Sequence, residues 1–202
     1  MALINGLYGV TIDNDLRLTE NVKAALAGGV SVIQYRDKSS SAEKKYDLAV
    51  RLKKLCAGKA LFIINDDVSL AKSVDADGVH LGKDDADIHK ARQLLGDKII
   101  GVSCYNELSL AEKAQSEGAD YVAFGRFYSS TTKPAAIQAS PDLITAAKKS
   151  LSVPVIAIGG ITVNNAGLLI EAGADAIAVV NGLFKQPDIK KTAQDYCALF
   201  QK

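Results

Sequence analysis

Eight short β-rich runs, separated by helical stretches, are the feature that most restricts what this chain can fold into. The runs lie at residues 8–12, 32–36, 61–65, 78–81, 99–103, 121–124, 155–158 and 176–180. Several are too apolar for a strand with one wet face. Strands buried on both faces belong to a parallel sheet covered by helices. Between them, residues 41–55, 88–95, 108–116 and 163–170 are rich in Ala, Lys, Glu and Leu at helical spacing. This alternation predicts an α/β fold, a (β/α)₈ TIM barrel of parallel strands. The competing arrangement is an open doubly wound sheet. No G-x-G-x-x-G follows the first run, and eight units of similar size favour closure.

A weak internal repeat agrees with the barrel. Ala27-Gly28-Gly29-Val30, Ala76-Asp77-Gly78-Val79, Gly118-Ala119-Asp120-Tyr121 and Gly173-Ala174-Asp175-Ala176 each lead into a run. They read as helix stops, with glycine taking the left-handed conformation. The chain has 202 residues, and barrels of this class begin at about 200. Residues 1–202 therefore read as one catalytic domain with short loops. The longest connection, residues 127–140, reads FYSSTTKPAAIQAS. Pro134 and Pro141 discourage regular structure there, and a long loop on the functional face of a compact domain is often a substrate lid.

Composition removes several classes. A net charge of +1 provides no basic field for nucleic acid. Cys56, Cys104 and Cys197 are widely separated and odd in number, which argues against a disulfide framework or a zinc site and for a reducing compartment. The start, MALINGLYGV, carries no basic segment ahead of a long apolar run, and no apolar run nears the roughly 18 residues of a membrane span. The expectation is a cytoplasmic protein with no nucleic-acid or membrane partner, either monomer or homodimer.

In a barrel the active site is built at the carboxyl ends of the strands, so the polar residues there are the candidates. The second run ends in Gln34, Arg36 and Lys38, which share one side by strand alternation. One amide and two cations suit a polyphosphate. The third is followed by Asn65-Asp66-Asp67, with Asp67 suited to cap the next helix and Asp66 to face inward as a Mg²⁺ ligand. After the fourth, Asp84 or Asp85 offers a second carboxylate, with helix capping as the competing role. His80 reads as a packed, hydrogen-bonded residue and not as a base; His89 reads as surface. Ser103 ends the fifth run with no histidine following it as a base, and Cys104 reads as a small buried residue. Ser130, Thr131, Thr132 and Lys133 read as a phosphate cradle. Gly159-Gly160 and Val180-Asn181 lie after the seventh and eighth runs, where barrels commonly bind phosphate.

Taken together, these segments resemble the thiamine-phosphate synthase family. The motifs are LYGVTID, IQYRDK, IINDD, ADGVHLG with Asp85, IGVSC, GADYVAFG with STTK, PVIAIGGI and AIAVVN. The resemblance spans nearly the whole chain. It implies a Mg²⁺-dependent transferase that joins a pyrimidinylmethyl diphosphate to a thiazole phosphate, giving thiamine phosphate and diphosphate through a carbocation. It places Gln34, Arg36, Lys38, Asn65, Ser103 and Lys133 at the pyrimidine diphosphate, with Arg36, Lys38 and Lys133 catalytic. It places Asp66 and Asp85 at Mg²⁺, and Ser130, Thr131, Thr132, Gly160, Val180 and Asn181 at the thiazole phosphate. The chain departs from the family pattern at Lys83, Tyr105, Arg126, Ser130 and Asn181, where glutamine, histidine, proline, threonine and serine are frequent. Related thiazole tautomerases would carry a histidine at the place of Tyr105. A tautomerase-like enzyme and a non-catalytic precursor-binding barrel are the alternatives.

Overall fold

Pleating sends alternate residues of a strand to opposite faces, and in this chain both faces are largely apolar. Such strands must be covered on each side. The computed structural model describes residues 4–82, 87–129 and 138–201.

The first half of the chain runs β1 (Gly6–Val10), α1 (Leu18–Ala27), β2 (Val32–Tyr35), α2 (Ala42–Cys56), β3 (Leu61–Asn65), α3 (Val68–Ser73), β4 (Gly78–Leu81) and α4 (Ile88–Leu95). The second half runs β5 (Ile99–Tyr105), α5 (Leu108–Ser116), β6 (Tyr121–Phe124), α6 (Pro141–Ser150), β7 (Val155–Ile158), α7 (Ala166–Glu171), β8 (Ala176–Val179), α8 (Asn181–Phe184) and α9 (Ile189–Ala198). All neighbouring strands are parallel, and β8 pairs with β1 to close the barrel. The predicted barrel is therefore the observed one. Differences are local. Ser41 caps α2 through its side chain instead of opening it. Pro141, expected to discourage structure, is the first residue of α6 behind the Ser140 cap, where its missing N–H costs nothing. The α4 cap is Asp87, whose side chain accepts from the Lys90 N–H, so that role falls to neither Asp84 nor Asp85.

Outward-facing residues such as Leu7, Ile33, Phe62, Ile64, Val79, Ile100, Val122 and Ile177 join one large core beneath the helices. Inward residues Ile4, Tyr8, Val32, Ile63, Ile99, Tyr121, Ile156 and Ala176 form a second, inner core. Towards the carboxyl ends the inward positions turn polar: Gln34 on β2, Asn65 on β3, His80 on β4 and Ser103 on β5. That change of chemistry along β2 to β5 is what puts the site at one end of the barrel.

At the opposite end, the repeated Gly-Ala-Asp segments do more than stop helices. Gly29, Gly118 and Gly173 do take positive φ. Asp77, Asp120 and Asp175 also act as clamps. Each donates its own N–H to a strand carbonyl, Phe62, Ile100 and Val155 respectively. Its carboxylate accepts the N–H of that same residue, each at 2.7 Å. The carboxylate also meets a cation from the preceding helix: Lys53 at 2.6 Å, Arg92 at 2.7 Å and Lys148 at 2.7 Å. Each clamp ties an odd strand, the next even strand and the helix before them. In the first unit Ser31 substitutes, its hydroxyl donating to the Asn5 and Leu7 carbonyls.

Asp175→Ala leaves the buried Val155 N–H without its acceptor. The expected loss is about 2 kcal/mol of unfolding free energy, read as a lower urea midpoint at unchanged slope.

Candidate active site

The strand carboxyl ends surround a cavity of about 600 Å³. Gln34, Arg36, Asn65, His80 and Ser103 line it on one side, and Gly160, Thr162, Val180, Asn181 and Lys185 on another. A smaller recess of about 280 Å³, lined by Asp37, Lys38, Lys45, Asn65 and Asp66, adjoins it. Asn65 belongs to the wall of both.

The loop after β2 is built by carboxylates. Asp13, beyond the end of β1, accepts from the Arg36 guanidinium at 2.9 Å and from the Lys38 N–H at 3.1 Å. The buried Thr11 hydroxyl donates to the Arg36 carbonyl and accepts the Arg36 N–H. Asp37 accepts the N–H groups of Ser39 and Ser40 at 3.0 and 2.9 Å, and the Tyr35 hydroxyl approaches it at 3.3 Å. Burial would raise the Asp37 carboxyl, but the donors of Ser40 and Ser39 outweigh it and hold it below the usual carboxylate range. Arg36 lines the main cavity, as expected beside Gln34. Lys38 does not share their side. Regular pairing ends at Tyr35, and the Lys38 ammonium lies 3.2 Å from Asp66 in the smaller recess.

Asp66 has a left-handed backbone, φ 61°, and donates its N–H to the His80 carbonyl. Asp is one of the few residues that enter this region readily. Its carboxylate accepts from the Asn65 amide at 2.6 Å. Asp67 caps α3 by accepting the Leu70 N–H, as expected, and Asp66 lines the smaller recess. Among the described residues, no group of three or more His, Cys, Asp and Glu side chains is placed to hold a metal. Mg²⁺ asks for less: one or two carboxylates, with phosphate oxygens and water completing its shell. Asp66, a hard oxygen donor beside Lys38 and Asn65, fits that demand. Asp85 and Lys83 lie outside the described residues, as do Ser130, Thr131, Thr132 and Lys133.

Across the cavity floor runs a buried hydrogen-bonded chain. The Gln34 amide donates to the Tyr8 hydroxyl at 2.8 Å, and Tyr8 and Tyr121 share a 2.8 Å bond. His80 Nδ1 is 2.9 Å from Tyr121, and its Nε2 is 2.9 Å from Ser103 Oγ. His80 is thus hydrogen-bonded and nearly buried, as expected, and it also walls the cavity. Burial pushes the Tyr8 phenol up to about 12 and drives Tyr121 well above its ordinary value, so both keep their protons. Gly101 makes room for this arrangement: a Cβ there would overlap the Tyr121 ring. The β5–β6 register shifts between Ser103 and Tyr105, and Tyr105 takes φ 52° at the cavity edge. Cys104 is buried, with its thiol pushed up to about 12 by desolvation, which makes it inert. His89 is exposed.

On the far wall, Gly160 has φ +67°, and a Cβ there would collide with the Tyr128 and Ser129 carbonyls. Only glycine lets the chain after β7 lie against the root of the 127–140 loop. That root is tied down by Tyr128 N–H to the Gly159 carbonyl and Ala139 N–H to the Arg126 carbonyl. Val180 and Asn181 begin α8 at the same wall. Sequence reasoning did not single out Tyr8, Thr11, Asp13, Lys45, Tyr121, Lys185 or Gln186 as site residues. For Asp13 a signal existed, an acid just past the first strand; for the tyrosines there was none, because each reads as ordinary core.

A cavity with polar walls at the carboxyl ends of a closed parallel barrel is the active-site arrangement of TIM-barrel enzymes, and that is the class to which this protein belongs. A family model described as "Thiamine monophosphate synthase" matches residues 7–183. The thiamine-phosphate synthase of Thiobacillus denitrificans is 49% identical, covering 96% of this chain and 94% of that protein. That of Marinobacter nauticus is 52% identical, covering 98% and 91%. The solved thiamine phosphate pyrophosphorylase from Pyrococcus furiosus superposes with a TM-score of 0.87 at 34% identity, covering 97% of this chain and 95% of that one. The chain belongs to the thiamine monophosphate synthase family and is an enzyme of the transferase class. No helix among the described residues is long and apolar enough to cross a membrane.

The depressed Asp37 carboxyl has a pH signature. Its stabilising bonds are complete above the unfolded-state value of about 3.9 and are lost as pH falls through the lower folded value. The thermal midpoint of wild type should therefore exceed that of Asp37→Asn by a constant margin above about pH 5. The margin should shrink in more acid solution; a gap that widens towards low pH contradicts the assignment.

Proposed function

We propose that this enzyme, in the cytoplasm, joins a pyrimidinylmethyl diphosphate to a thiazole phosphate, releasing diphosphate and thiamine phosphate. The observation that carries this reading is a single cavity with two polar ends. One end gathers Gln34, Arg36 and Asn65, with Lys38 and Asp66 in the adjoining recess. The other offers the backbone of Gly160, Val180 and Asn181.

In this reading Arg36 and Lys38, joined by Lys133, bind the diphosphate and stabilise charge as it departs. Asp66 and Asp85 would hold Mg²⁺, which supplies charge neutralisation at the diphosphate oxygens when bound. The bond between the pyrimidine methylene carbon and the diphosphate oxygen breaks first, and its electron pair leaves with the diphosphate. The thiazole nitrogen then gives its lone pair to the resulting pyrimidine-stabilised carbocation, forming the new C–N bond. No proton is transferred, so no protein nucleophile or base is required; the inert Cys104 and the engaged Ser103 accord with that. Gln34, Asn65 and Ser103 orient the pyrimidine substrate. Ser130, Thr131 and Thr132 would bind the thiazole phosphate together with Gly160, Val180 and Asn181.

The test is a coupling assay with both substrates, in Mg²⁺ or in EDTA. Thiamine phosphate is expected only with Mg²⁺. Folded protein that binds either substrate without product points to a precursor-binding barrel, and thiazole isomerisation without coupling points to a tautomerase. Lys133→Ala should lower turnover by roughly 10²- to 10³-fold, measured at saturating substrates in folded protein. Asp66→Ala should shift the Mg²⁺ activation curve strongly to higher concentration; an unaltered metal dependence contradicts its role as a ligand.

A further inference from the structure

The chain Gln34–Tyr8–Tyr121–His80–Ser103 joins β2, β1, β6, β4 and β5 through four consecutive hydrogen bonds of 2.8 to 2.9 Å. The reaction above uses only its two ends. The middle is costly to bury unless every group is satisfied, and among the described residues no buried side-chain nitrogen or oxygen lacks a partner. Its donors can be counted. A hydroxyl has one proton and an amide nitrogen only donates. Gln34 donates to Tyr8, so Tyr8 spends its proton on Tyr121. Tyr121 must then donate to His80 Nδ1. A neutral imidazole that accepts at Nδ1 carries its proton at Nε2, and that proton goes to Ser103 Oγ. The serine proton is left for the cavity, which Ser103 lines, and the Gln34 carbonyl oxygen is left as an acceptor.

We propose that Tyr8, Tyr121 and His80 are positioning residues: a relay of fixed polarity that holds His80 as the Nε2–H tautomer and makes Ser103 a hydrogen-bond donor to the pyrimidine substrate. The relay rests on the reading that this cavity binds that substrate, yet it exists in the free protein and can be read there. Burial keeps both phenols protonated.

The experiment is nitrogen NMR of ¹⁵N-histidine-labelled, ligand-free protein at neutral pH. The chain has two histidines, and exposed His89 gives an averaged internal reference. His80 is expected to show a pyridine-type Nδ1 and a pyrrole-type Nε2. The opposite pattern, or an imidazolium, overturns the proposal. Tyr121→Phe keeps the ring and removes the donor to Nδ1; His80 should then show mixed tautomers. KM for the pyrimidine diphosphate should rise roughly tenfold, as for one lost polar contact, with KM for the thiazole phosphate unchanged. Equal changes in both constants would mark a merely structural effect and overturn the role. Tyr8→Phe removes the donor that obliges Tyr121 to give its proton to His80, so its His80 spectrum should move part of the way towards mixed tautomers; a spectrum identical to wild type overturns the role of Tyr8. If Tyr121→Phe does not fold, the wild-type and Tyr8→Phe spectra still decide. A correct tautomer in a protein that forms no thiamine phosphate would fault the proposed reaction and not the relay.

Discussion

Closure of the barrel is the constraint on which the rest depends. Pairing β8 with β1 leaves no strand edge, and it commits every second side chain to an interior that water does not fill. Apolar residues satisfy that interior towards the amino ends. Towards the carboxyl ends Gln34, Asn65, His80 and Ser103 intrude, and each must find its partner inside the barrel. Tyr8 of β1 and Tyr121 of β6 supply them for Gln34 and His80, His80 supplies one for Ser103, and Asn65 turns to Asp66. One ring of residues thus completes the core and forms the floor of the active site.

The two ends of the barrel meet different demands with similar chemistry. Asp77, Asp120 and Asp175 hold strands and helices together at the amino ends through carboxylates that accept backbone N–H groups. At the carboxyl ends Asp13 and Asp37 do the same for a loop. There the effect is to aim Arg36 into the cavity and to set Lys38 against Asp66. Partly exposed ion pairs of this kind add little stability. In the proposed reaction their value would be geometric, since cations held before substrate arrives need no reorganisation when charge develops.

Much of this was legible in the chain. Eight apolar runs alternating with amphipathic stretches specify the barrel, because period and length are local properties. Gln34, Arg36, Asn65, Ser103, Gly160, Val180 and Asn181 could be placed on the cavity wall, since a barrel fixes which end of a strand is functional. Lys38 could not be aimed, because alternation holds only while the strand is paired and β2 ends at Tyr35. Asp87 rather than Asp84 or Asp85 caps α4, a choice that depends on where the helix actually begins.

Composition, periodicity and the order of motifs determined the fold class, the functional end of the barrel and the family. Tertiary structure alone decided that Tyr8 meets Tyr121 across 113 residues, that His80 stands between Tyr121 and Ser103, and that three aspartates of the repeat are clamps. The physical reason is range. A strand's period is written in adjacent residues, whereas a hydrogen bond across a barrel depends on the stagger and closure of strands far apart in sequence.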